Sequence, residues 1–288
     1  MKRLRKNPSS IYLLASSIGN LALLNSSFLS RIFLPNFILD PSSTSLVWCK
    51  LRQYIGHFSS LGSLLCTAWA MMDQYLSTSS NARLRQFSTV QAARCLVSLT
   101  FFLSFLHSLP LIIYNQINIS KTTNISSCSL SNSVIYRNYI TYFVTPFLLG
   151  IIPTFIMIVF AALAYANIKY LHQRQMRTQV QQQLTQMVSA QAFFVLIGMI
   201  AYTTQTIYNL LTMSTPKNAL RQPDENVALT ITGVLSYTGY VFNFYIYMVV
   251  SPSLRKQFKQ LIKKFLYYLT CHIIVTNRTA PVHIIYNN

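Results

Sequence analysis

Six stretches of the chain run long and almost free of charge: residues 10–34, with Arg31 the exception, 53–72, 95–114, 139–168, 187–213 and 226–251. Each reaches the roughly 20 residues a helix needs to cross the hydrocarbon core of a bilayer, and lipid leaves the backbone no spanning conformation but a helix or a closed barrel. The pattern predicts an all-α, polytopic membrane bundle of six transmembrane helices. After Pro252 the period changes. Leu254, Phe258, Leu261, Ile262, Phe265 and Leu266 follow helical spacing, while Arg255, Lys256, Lys259, Lys263 and Lys264 take the other faces. That alternation predicts an amphipathic helix lying on a membrane surface over residues 252–271. The chain therefore divides into a bundle (1–251), this interfacial helix, and a tail (272–288) that reads as disordered.

Composition agrees, with 52% hydrophobic and 9% charged residues, where a soluble domain carries about a quarter charged. The net charge of +19 does not point to nucleic acid, because the basic residues sit between the spans rather than on one soluble surface. They report orientation instead. With the first run leaving the cytosol, sixteen of the 23 basic residues fall inside, and Arg31, Lys50, Arg52, Lys121, Arg137, Lys217 and Arg221 fall outside. The positive-inside rule then puts both termini in the cytosol. Two glycosylation acceptors, Asn118-Ile119-Ser120 and Asn124-Ile125-Ser126, lie in a loop assigned outside, as do Asp40, Asp224 and Glu225. Cys49 and Cys128 are external, Cys66 and Cys95 lie in or beside spans, and Cys271 is cytosolic.

At about 1.5 Å per residue, the 24 positions from Cys49 to Asp73 cover a bilayer core, so these two residues face opposite sides. The order Trp48-Cys49, then Ser63-Leu64-Leu65-Cys66-Thr67-Ala68, then Asp73-Gln74-Tyr75-Leu76 resembles the third helix of rhodopsin-like (class A) G-protein-coupled receptors. The resemblance implies a disulfide from Cys49 to Cys128 and a cytosolic switch at Asp73-Gln74-Tyr75, with Gln74 where the family carries arginine. It continues along the chain. Asn20 stands where these receptors place an aspartate that helps hold sodium, Pro153 matches a proline of the fifth helix, and Asn243 with Tyr247 resembles NPxxY with Phe244 for proline. Other elements are lost: the fifth-helix tyrosine falls at Ala161 or Ala162, Thr204 stands near the sixth-helix proline, and span 95–114 lacks its usual tryptophan. By this correspondence the family's first helix would precede Lys2. An incomplete gene model or truncated product is the preferred reading, and a genuine six-helix variant the other.

The resemblance further implies an extracellular ligand at the helix tops, a heterotrimeric G protein within and a plasma-membrane location. The position of the amine-binding aspartate is Gly56 and that of the retinal-binding lysine is Tyr237, so a peptide or another non-amine ligand is expected, with Gln53, His57, Gln205 and Tyr237 as pocket candidates. Loss of the arginine predicts weak, altered or absent coupling. Asp73, opposing its helix dipole, is expected to pair with Arg83 or Arg85 or to stay solvated. His107 reads as a packed or interfacial residue rather than a ligand. Cys271 is a candidate for acylation or a plain thiol, and the basic helix before it is expected to bind anionic lipid. The alternative function, a six-helix transporter or channel subunit, normally needs ionisable residues within spans, and none stands mid-span here. No cofactor, metal site or catalytic constellation is expected.

Overall fold

The computed structural model describes residues 7–28, 44–119, 126–130, 133–172, 179–212, 221–252, 255–256, 258–264 and 267. Asn124, Cys271 and the tail 272–288 lie outside them. Helix α1 (Pro8–Leu23) starts on a proline, whose missing N–H costs nothing in a first turn, and runs on as a π-helical turn to Phe28. Ser45 caps α2 (Leu46–Thr78), Asn81 caps the short α3 (Ala82–Phe87) and Thr89 caps α4 (Val90–Tyr114), each side chain accepting a backbone N–H. A two-stranded antiparallel hairpin follows, β1 (Asn115–Ile119) and β2 (Ser126–Leu130), with Ile117 opposite Cys128. Next come α5 (Val134–Asn138), a long π-helix (Tyr139–Ile151) and α6 (Ile152–His172) as one continuous rod. Helices α7 (Gln179–Leu211), α8 (Arg221–Ser236) and α9 (Thr238–Val250) follow, and residues 258–264 are helical as well.

The helices make six long rods, which agrees with the expected runs, but their edges and interiors differ. Prolines 146 and 153 cannot donate a backbone hydrogen bond, and the widened π turns absorb that loss between Tyr139 and Ile151. The run 226–251 is not one helix. A turn at Tyr237, whose N–H donates to the Val234 carbonyl at 3.0 Å, divides it. The hairpin forms within the loop that the sequence assigns outside. By length and composition alone, four helices among the described residues suffice to cross a membrane: Val90–Tyr114, Val134–Asn167, Gln183–Leu211 and Val227–Val250. Helix α2 is the central rod, packed against α1, α4, α6 and α7, and its serine- and glycine-rich midsection faces protein more than lipid. A helix so enclosed can be less apolar than one facing acyl chains.

Helix α4 shows what lipid does to side-chain sorting. Its buried residues are Ala93, Thr100, Ser104, Ser108 and Leu111, whereas Phe102, Leu103, Phe105 and Leu106 are exposed. Small and polar groups turn inward because lipid tails give no hydrophobic reward for burying apolar ones, and helices gain by close approach and by hydrogen bonds. The tryptophan missing from this helix is replaced across the interface: Trp69 of α2 donates its Nε1–H to Thr100 at 3.1 Å.

Backbones approach closely where α7 meets α8 and α9. A methyl group on Gly239 would stand 2.6 Å from the Cα of Val195, and one on Gly198 would stand 2.5 Å from the Leu235 carbonyl oxygen. Both obstacles are backbone and cannot rotate away. Gly239→Ala must therefore push the two helices apart, with an expected loss of about 1–2 kcal/mol, read as a lowered midpoint in thermal unfolding of the detergent-solubilised chain.

Candidate functional site

Three polar centres lie along the bundle. At the external end Cys49 and Cys128 form a disulfide with Cα atoms 5.7 Å apart, tying the first turn of α2 to β2. Cys49 is fully buried. The hairpin is thereby held over a cavity of about 420 Å³ lined by Leu23, Gln53, His57, Ser129, Tyr202 and Tyr237, among others. Of the four residues expected in a pocket, the cavity gathers Gln53, His57 and Tyr237. Gln205 is not among its lining residues: its amide donates to Asn209 one turn on, and Tyr202 supplies the α7 contribution instead. Asn118, a predicted glycosylation acceptor, sits in β1 with its amide donating to Ser129 Oγ at 2.7 Å.

His57 and His107 meet beside the cavity. His57 Nε2 stands 3.1 Å from His107 Nδ1, and His107 Nε2 stands 3.1 Å from the hydroxyl of Tyr139. His107 packs against both rings, and its hydrogen bonds make a chain joining α2, α4 and the π-helix.

Midway down, Gln191 of α7 is the hub of a neutral network. Its amide nitrogen donates to Ser16 Oγ at 3.1 Å and to Thr67 Oγ1 at 3.0 Å, and its oxygen accepts from the Tyr247 hydroxyl at 2.7 Å. One side chain therefore links α1, α2, α7 and α9. Ser16 also meets Ser63, which donates to Asn20. Asn243 is buried, but neither of its amide atoms finds a partner among the described residues, so Asn243 and Tyr247 share a helix without sharing a network. The residues do not suit a sodium ion. Asn20 brings no charge, and the donor end of Gln191 points at the same hydroxyls a cation would need.

At the cytosolic end, five side chains form one polarised chain. Thr185 donates to Gln74 Oε1, Gln74 Nε2 donates to Ser9 Oγ at 2.8 Å, Ser9 donates to Asp73 Oδ2, and Ser88 donates to Asp73 Oδ1 at 2.7 Å. Every donor points toward the carboxylate, the arrangement in which hydrogen bonds polarise and strengthen one another. Asp73 is only 4% exposed and Gln74 2%. The expected arginine partners are corrected: hydroxyls from α1 and from the segment before α4 hold Asp73, and Arg85 Nη1 donates instead to the Ser79 carbonyl. A buried carboxylate can be satisfied by neutral donors, and these avoid taking a second charge out of water. Tyr75 turns its ring toward Phe160 of α6, and Pro153 is buried at the start of that helix.

Sequence reasoning missed Gln191, Ser9 and Thr185. Gln191 carried one available signal, an amide set among Ala190, Ala192, Phe193 and Phe194, which lipid makes expensive unless it is bonded.

An α-helical membrane bundle with an external, disulfide-covered cavity and a polar latch at the opposite end is the architecture of a transmembrane receptor. The chain belongs to the rhodopsin family of seven-transmembrane receptors, whose family model matches residues 1–277. No curated protein matches the chain.

Proposed function

We propose that the chain receives an extracellular peptide or other non-amine ligand in the cavity beneath the hairpin, at the plasma membrane, and couples weakly, in altered form or not at all to a heterotrimeric G protein. The family supports a membrane receptor with an outside ligand and an inside partner. A neutral ligand is favoured by a cavity whose lining, among the described residues, includes no Asp, Glu, Lys or Arg. Its volume lies in the range of ordinary small-molecule sites and would take one or a few side chains of a peptide.

The observation that carries the coupling reading is Gln74. A long cationic side chain at this position could leave the bundle and meet a partner. The amide instead is turned inward and clamps α2 to α1 and α7. An outward displacement of α7, the motion that would admit a G protein, must break the Thr185 bond first. Exposed Phe258, Leu261 and Ile262, on a helical segment carrying Lys259, Lys263 and Lys264, support docking of the C-terminal helix on anionic lipid of the inner leaflet. The bundle 1–251, helix 252–271 and tail 272–288 remain our working division.

The test is nucleotide exchange on purified heterotrimeric G proteins by the chain reconstituted in lipid discs. Wild type is expected to accelerate exchange little. Gln74→Arg, too long for the pocket between Ser9 and Thr185, is expected to raise it. Robust ligand-dependent exchange by wild type would refute the reading.

A further inference from the structure

The geometry points to a site for a divalent transition-metal ion between His57 and His107, open to the external cavity; this stands apart from the coupling reading above. Two nitrogens bound tetrahedrally to zinc at about 2.0–2.1 Å lie about 3.3–3.4 Å from each other. His57 Nε2 and His107 Nδ1 are 3.1 Å apart already, presented by two different helices. Their rings are inclined at 30° with centroids 5.2 Å apart, so a small opening of the pair admits an ion where one shared proton now sits.

The surroundings favour a metal ligand role for His107 in particular. Its second nitrogen, Nε2, meets the Tyr139 hydroxyl at 3.1 Å. With Nε2 carrying the proton and donating to that oxygen, the Nδ1 lone pair is directed at His57, and an oxygen partner on the far nitrogen is how metal-bound imidazoles are usually oriented. His57 itself lines the cavity, within which water or a donor atom of a bound ligand can complete the coordination. Among the described residues no third His, Cys, Asp or Glu joins the pair. Two imidazoles without carboxylates select zinc, copper or nickel over calcium and magnesium, which require oxygen ligands. The exchangeable remaining positions make this an open site, suited to an ion that is taken up reversibly or shared with a ligand, not a structural zinc.

Equilibrium dialysis of the detergent-solubilised chain against Zn2+, in the presence of excess Ca2+ and Mg2+, tests the assignment. Wild type should retain one equivalent that His57→Gln and His107→Gln both lose, and Tyr139→Phe should weaken binding by about tenfold. Cobalt guards against misfolded variants, since wild type alone should then show the intense visible bands of a four-coordinate ion. No retained zinc, zinc retained equally by both histidine variants, or a six-coordinate cobalt spectrum would overturn the site.

Discussion

Cys49→Ser and Cys128→Ser are each expected to destabilise the external face by about 2–4 kcal/mol and to abolish ligand retention in the cavity. The bridge closes a loop between residues 79 apart in sequence, and a loop of that length would cost still more in a soluble chain. Here the unfolded reference is smaller, because the helices between the cysteines stay threaded through the bilayer and already restrict the loop. What the bond chiefly governs is the hairpin. Ser129 and Leu130 of β2 adjoin Cys128 and line the cavity, so freeing Cys128 removes one wall. Thermal unfolding followed by thiol labelling, with and without reductant, checks this. Reduction of wild type should reproduce the variants, and an additional loss on reducing either variant would contradict it.

The second large effect is expected at Gln191. Gln191→Leu preserves approximate volume but removes both donor contacts to Ser16 and Thr67 and the acceptor of the Tyr247 hydroxyl. Three interhelical bonds at about 0.6–1.7 kcal/mol each give an expected loss of about 2–4 kcal/mol. Thr67 and Ser16 retain other partners, which keeps the figure from rising further. Gln191→Glu has the opposite interest. A carboxylate beside Ser16 and Thr67 creates the charge that this polar network lacks. Thermal stability of this variant should rise when sodium replaces a bulky organic cation in the buffer, whereas wild type should show no such dependence.

The positions of the rods were legible because the bilayer imposes a length and an apolar composition that few other structures share. The union of Cys49 with Cys128 was legible through the family resemblance. What escaped detection has a common physical cause. The partners of Asp73 and Gln74 are serine and threonine, residues too frequent to mark as special, and Ser9 and Thr185 stand far from them in sequence. An acid invites a search for a cation, yet in a buried setting hydroxyls served. Gln205 and Tyr202 are separated by one helical turn's rotation, and only the actual facing of α7 decides which reaches the cavity. The hairpin was hidden because Asn115-Gln116-Ile117-Asn118-Ile119 is short and its polar residues resemble a loop, while the disulfide and the strand register hold it extended.

The most direct test of the account is a distance across the cytosolic end. Spin labels placed at exposed Ser80 beyond α2 and Gln186 on α7 report whether Gln74 holds these elements together. In lipid discs with saturating G protein, wild type should keep the single short distance of the free chain, and the pair Gln74→Ala with Thr185→Val should broaden and lengthen it. A wild-type distance that lengthens on adding G protein, as much as in the double variant, would contradict a closed and clamped cytosolic face.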